Sequence, residues 1–321
     1  MANSFQTYVG ERERVIHRKS LNYTTMRGRC KFCFTCNMGP SPNTSRKKHN
    51  VLDDAQFAIP GQTYNNAVLN KILFFDLSRQ SLSPGILSDF DATVAFDRVL
   101  AGLSIITCQR VGLPQTAGLF MYELIKDTKF YLITGFGKSI ASYSNTMNNK
   151  TGQGVLQGSS SACRIFILNS NVSLSAYHCH ATGASFKHPI SVHTVTDYAV
   201  QFVGDTSQFV NVMGLSPTAQ QDEPPLLYDH LFKSASKNAQ TWADYLWLSG
   251  GKLQLAKCFY YALRPTLYYK KNEVSYKVLA PQQKCVICDP SNNTPQILTS
   301  LSPDDARRIL GAIISPNGSG T

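Results

Sequence analysis

The most informative segment of the 321-residue chain is Asp89-Phe90-Asp91-Ala92-Thr93-Val94-Ala95-Phe96-Asp97-Arg98. Ser88 to Asp91 has the texture of a strand. A helix is predicted from Ala92 on, through Val99, Leu100, Leu103 and Ile106, stopping near Gly112-Leu113-Pro114. A carboxylate at a strand end beside a helix start suits a divalent cation. Mg²⁺ takes oxygen ligands, often one or two protein carboxylates, with water and substrate phosphates completing the shell. Alone, the same residues also read as a solvated acidic loop with a helix cap.

Two later segments add chemistry. Gly152-Gln153-Gly154-Val155-Leu156-Gln157-Gly158-Ser159-Ser160-Ser161 is a glycine-rich turn before a predicted helix, Ser160 to Leu174. Glycines let a backbone approach a base or sugar closely, and Gln157 can hydrogen-bond a nucleotide. No Gly-Lys-Ser/Thr ends the turn, so it is not a phosphate-binding P-loop. Ala199-Val200-Gln201-Phe202-Val203-Gly204-Asp205-Thr206-Ser207-Gln208 reads as a hairpin with Asp205 at its tip.

In this order Asp91, Gln157-Gly158 and Asp205 resemble motifs A, B and C of the reverse transcriptases of non-LTR retrotransposons. In those enzymes A reads Asp-x-x-x-x-Phe-Asp, B carries Gln-Gly-Ser and C reads Phe-x-Asp-Asp. Val51 to Arg79 resembles the segment just upstream of motif A. Trp242 to Tyr261 resembles motif D and the start of the thumb, and Leu301 to Gly318 the region after it.

The resemblance implies an α+β right-hand polymerase palm, an antiparallel sheet backed by helices, with partial fingers and the start of a thumb. Asp91 and Asp205 would bind Mg²⁺ or Mn²⁺ and meet on adjacent strands. Phe96 would be the steric gate against a ribose 2′-OH, and Gln157 and Gly158 would contact template and incoming nucleotide. Lys257 would protonate the pyrophosphate, with Lys252 as a rival. The partners implied are an RNA template, a DNA primer and a dNTP, and the chemistry is two-metal nucleotidyl transfer. Motif C departs from the family, because Gly204 stands where the first of two aspartates belongs. The activity expected is weakened or absent. Residues 51–248 are assigned to a fingers remnant and palm, and 249–321 to the palm's end and the start of a thumb. The family's thumb would continue past Thr321, so the chain reads as a fragment of a longer frame or a decayed copy.

Composition agrees in part. Hydrophobic residues are 43% and charged residues 16%, a folding composition. The net charge of +11 favours a polyanionic partner. Most of it, +8, lies in residues 1–50, read as a poorly structured basic arm that includes Arg46, Lys47 and Lys48. No apolar run is long enough for a membrane span, and no signal peptide is visible, so an intracellular location is expected. The nine cysteines then read as reduced thiols.

Cys30, Cys33 and Cys36 form a double CxxC, and Cys285 and Cys288 another, some 250 residues on. Zn²⁺ at the first cluster, with His49 as a possible ligand, would make a zinc-assisted interaction module. A catalytically silent nucleic-acid-binding remnant of the palm is the other alternative. His178-Cys179-His180 lacks a nearby carboxylate in sequence and reads as a surface turn. Ala67, Leu69, Ile72, Leu73 and Leu77 form the apolar stripe of a predicted helix within Asp53 to Gln80.

Overall fold

The structure is a computed structural model. It describes residues 7–8, 52–59, 61–126, 129–135, 137–144, 154–155, 162–188, 190–191, 193–268 and 273–318. Along the chain run β1 (Thr7–Tyr8), α1 (Tyr64–Gln80), β2 (Gly85–Asp91), α2 (Ala95–Arg98), α3 (Ala101–Arg110), α4 (Gln115–Lys126), β3 (Lys129–Thr134) and β4 (Gly137–Ser144). They are followed by α5 (Ala162–His178), β5 (Ala184–Lys187), β6 (Thr194–Asp197), β7 (Ala199–Phe202), β8 (Asp205–Asn211), α6 (Pro217–Gln220) and α7 (Pro224–Leu248). The remainder is β9 (Phe259–Tyr268), β10 (Glu273–Val278), β11 (Val286–Asp289), β12 (Thr294–Ile297), β13 (Thr299–Leu301), β14 (Arg307–Ile309) and β15 (Ala312–Ile314). The protein is α+β.

The chain divides into two compact units, residues 1–52 with 94–169, and residues 53–93 with 170–321. In the first, β1, β3 and β4 form a small antiparallel sheet. In the second, a sheet runs in the order β10-β9-β2-β8-β7, all antiparallel, and β13 joins β9 in parallel.

That larger sheet is covered on both faces, as strand alternation dictates. Leu87, Phe209, Val200, Tyr261 and Leu263 pack with Ala67, Val68, Phe74 and Phe75 of α1. Ile86, Phe90, Val210, Tyr260 and Ala262 pack with Leu174 and Tyr177 of α5 and with Leu231, Ala235, Ala239 and Trp242 of α7. Three layers result, with β2 and β8 at the centre of the sheet.

Several elements differ from expectation. Ala92 does not start a helix. It bridges to Leu253, and the Thr93 N–H bonds the Lys252 carbonyl at 2.7 Å, so the chain stays extended past Asp91. Val94 takes φ 41°, and the helix expected through Val99 is broken into α2 and α3. In α1 the buried face is Ala67, Val68, Lys71, Phe74, Phe75 and Ser78, while Leu69, Ile72, Leu73 and Leu77 are exposed. Two aromatic rings outweigh four aliphatic side chains in choosing the face. β9, a ten-residue strand, lies between β2 and β10. Pro265 lies past the last β2 pair, Gly85 with Leu263, where a missing N–H is tolerated. The long helix α7 begins on Pro224-Pro225, whose lack of N–H costs nothing in a first turn.

Candidate functional site

Strand register brings the two aspartates together. β2 and β8 are antiparallel from Gly85–Asn211 to Asp91–Asp205, so the carboxylates stand opposite each other at the last pair. Asp205 opens β8 directly after a two-residue turn, Val203-Gly204, that follows β7. The left-handed φ in that turn is carried by Val203, at 56°. That is a strained conformation for a β-branched residue. Gly204 is not in the positive-φ region.

Lys257 completes the surface of the site. It lies in a 3-10 turn, Leu255–Lys257, tethered to the end of β2. The Gln254 N–H bonds the Asp91 carbonyl at 2.8 Å, and Thr93 Oγ1 bonds Gln254 Oε1 at 2.8 Å. Lys257 Nζ thereby sits 2.8 Å from Asp91 Oδ2. The rival lysine is engaged elsewhere, with Lys252 Nζ 2.8 Å from Asp289 Oδ2 and 3.1 Å from Ser291 Oγ.

Beneath the pair lies a group that sequence reasoning missed. Lys71 of α1, 2% exposed, places Nζ 2.7 Å from Asp89 Oδ1, and Ser207 Oγ donates to the same oxygen. Asp89 shares a strand face with Asp91 and Ser207 with Asp205, so this network is the next layer inward. A lysine flanked by Ala67 and Val68 on one side and Phe74 and Phe75 on the other was the available signal. A buried ammonium there requires a buried carboxylate.

Burial and the neighbouring Asp91 charge act in the same direction at Asp205. Burial, then the Asp91 charge, push its carboxyl above the usual carboxylate range, Lys71 pulls it down, and Asp89 and Lys257 make smaller opposing contributions. The hydrogen bond to Asp91, then the Asp91 charge, raise the Lys257 ammonium above its ordinary value.

Phe96 belongs to the first unit, where its ring lies 5.2 Å from Phe166 and its carbonyl accepts the Val155 N–H at 2.8 Å. Gln157, Gly158, Cys30, Cys33, Cys36 and His49 lie outside the described residues. Cys285 is fully buried, which pushes its thiol up to about 12. His178 is not in a bare surface turn, because its Nδ1 lies 2.9 Å from Asp53 Oδ2. That carboxylate comes from far along the chain, so local sequence could not show it.

The resemblance implies two divalent ions at this site. Mg²⁺ prefers six oxygens in near-octahedral array, and two ions 3.5–4 Å apart share carboxylates between them. Here Gly204 supplies none, Asp89 is held by Lys71 and Ser207, and Asp91 is paired with Lys257. Among the described residues no group of three or more His, Cys, Asp or Glu is arranged for a metal. The donor set does not fit two ions.

No protein family matches the sequence, and no curated relative does either. Among solved structures, the chain is similar to a telomerase from Candida tropicalis in complex with the TWJ fragment of telomeric RNA. The TM-score is 0.42 at 13% identity, over 73% of this chain and 35% of that one. It is similar also to apo telomerase from Candida tropicalis truncated from its C-terminal domain, with TM-score 0.41, 14% identity, and 68% and 38% of the two chains covered. The chain spans little more than a third of the length of either. Among the described residues no helix is long and apolar enough to cross a membrane.

Proposed function

We propose that the chain carries a reverse transcriptase-type palm, of the non-LTR retrotransposon kind, that binds an RNA template and a DNA primer and is impaired in nucleotide transfer. The observation that carries this reading is the Asp91–Asp205 pair at the end of adjacent antiparallel strands, with Lys257 on Asp91. On this reading residues 51–248 hold the fingers remnant and palm, and 249–321 the palm's end and the start of a thumb. Asp91 and Asp205 are the residues left to meet a divalent ion, Mg²⁺ or Mn²⁺. Lys257 presents its ammonium where a leaving pyrophosphate would need neutralising. Phe96 favours a dNTP over an rNTP, and Gln157 and Gly158 contact template and nucleotide.

Gly204 is the defect. Losing one well-placed electrostatic group costs on the order of 10²–10³ in rate, and metal sites lose more. The test is primer extension by the full chain on an RNA template with dNTPs, beside the Gly204→Asp variant. The parent should bind primer–template yet extend at least about 10²-fold more slowly than Gly204→Asp. Robust extension by the parent overturns the impairment. Failure of both chains to bind primer–template overturns the palm.

A further inference from the structure

The mismatch between the donor set and two ions has a cause inside the chain. We propose that the Asp91–Asp205 pair is partly neutralised from within, by Lys257 on Asp91, so that the site takes at most one divalent ion, and takes it only by displacing Lys257. The inference rests on the palm reading for the choice of ion, and on geometry for the rest.

Two carboxylates offer four oxygens, and one of them, Asp91 Oδ2, holds an ammonium 2.8 Å away. A divalent ion on the same carboxylate repels that ammonium. Asp89 cannot relieve the shortage. Its Oδ1 already accepts from Lys71 and Ser207, and its Oδ2 is shut away from solvent.

The two lysines differ in freedom. Lys71 is 2% exposed and locked in the layer beneath, so its charge stays. The Lys257 side chain is 68% exposed and can swing into water. An exposed ion pair of that kind is worth a factor of about 1.5 to 5 in an equilibrium. Lys257 is thus a weak plug that an ion can push aside, whereas Lys71 is held by Asp89 and takes no part.

Mn²⁺ alone, titrated into the full-length chain and followed by electron paramagnetic resonance, tests this without nucleic acid or nucleotide. The parent should bind no more than one ion at a site that Asp91→Asn removes. Lys257→Gln should tighten that ion by about two- to fivefold. Lys257→Arg, which keeps the charge, should stay within about twofold of the parent. Gly204→Asp should raise the count toward two. Two ions on the parent, or no gain in Lys257→Gln, overturns the inference. A chain that fails to bind primer–template leaves this titration unaffected, so the two proposals fail separately.

Discussion

At the residue scale the largest energetic commitment is the buried ion pair Lys71–Asp89. Each charge is tolerated in the interior only because the other is there, and Ser207 adds a third partner. Removing one member leaves an uncompensated charge. Lys71→Ala should therefore destabilise the protein by about 3–5 kcal/mol in urea unfolding. The double change Lys71→Met with Asp89→Leu should lose far less, since no charge remains to be buried. A single variant no worse than the double would show the pair to be solvated. Asp91, one pleat further along β2, escapes this fate by standing at the strand end, with its side chain 29% exposed. Position along one strand thus separates a structural aspartate from a chemically available one.

At the element scale, β6, α5 and the segment before α1 converge on a small titratable cluster. Burial raises the Asp53 carboxyl, but the His178 bond and the Ala55 N–H outweigh it and hold Asp53 below its ordinary range. Asp197, at the end of β6, is pushed up to about 6 by burial, against the opposing charge of His178. A carboxyl raised on folding binds its proton more tightly in the native state, so stability falls as pH rises from about 4 to about 6. Asp197→Asn should abolish that fall. Its Tm should exceed the parent's above pH 6, by an amount equivalent to about 1–2 kcal/mol, and converge with it below pH 4. Parallel Tm curves would refute the assignment. The same elements show what sequence could and could not reveal. The Asp91–Asp205 pairing was legible through the resemblance, which implies that the two meet on adjacent strands; in the structure Asp91 ends β2 and Asp205 opens β8 after a tight turn. The buried face of α1 was not, because the helix carries two apolar stripes and only the sheet selects between them. Nor was the end of β2, where Ala92 and Thr93 answer to Leu253 and Lys252 from a distant segment. Pairings across more than 100 residues, such as His178 with Asp53, leave no local trace.

At the scale of the whole molecule the charge is uneven. Of the net +11, +8 belongs to residues 1–50, and the rest of the chain, which includes the carboxylate pair, is close to balanced. Phosphate contacts release counterions, so log K for a nucleic acid falls linearly with log salt, by about 0.7–0.9 per contact. Arg46, Lys47 and Lys48 are three adjacent candidates for such contacts. Changing all three to Gln should weaken primer–template binding at low salt and flatten the salt slope by about 2–3. An unchanged slope would place the contacts elsewhere. On the proposed palm reading, the basic N-terminal stretch attracts nucleic acid and the sheet carries the carboxylate pair.

The backbone at Gly204 has a hereditary consequence. Val203 carries the left-handed strain of the turn, while Gly204 is not in the positive-φ region. Glycine and aspartate codons of the GGT/GGC and GAT/GAC types differ only at the second base. A single G-to-A transition at such a codon would place a carboxylate beside Asp205 without requiring an aspartate to take a positive φ. The backbone φ at Gly204 is therefore no barrier to a second carboxylate in the turn.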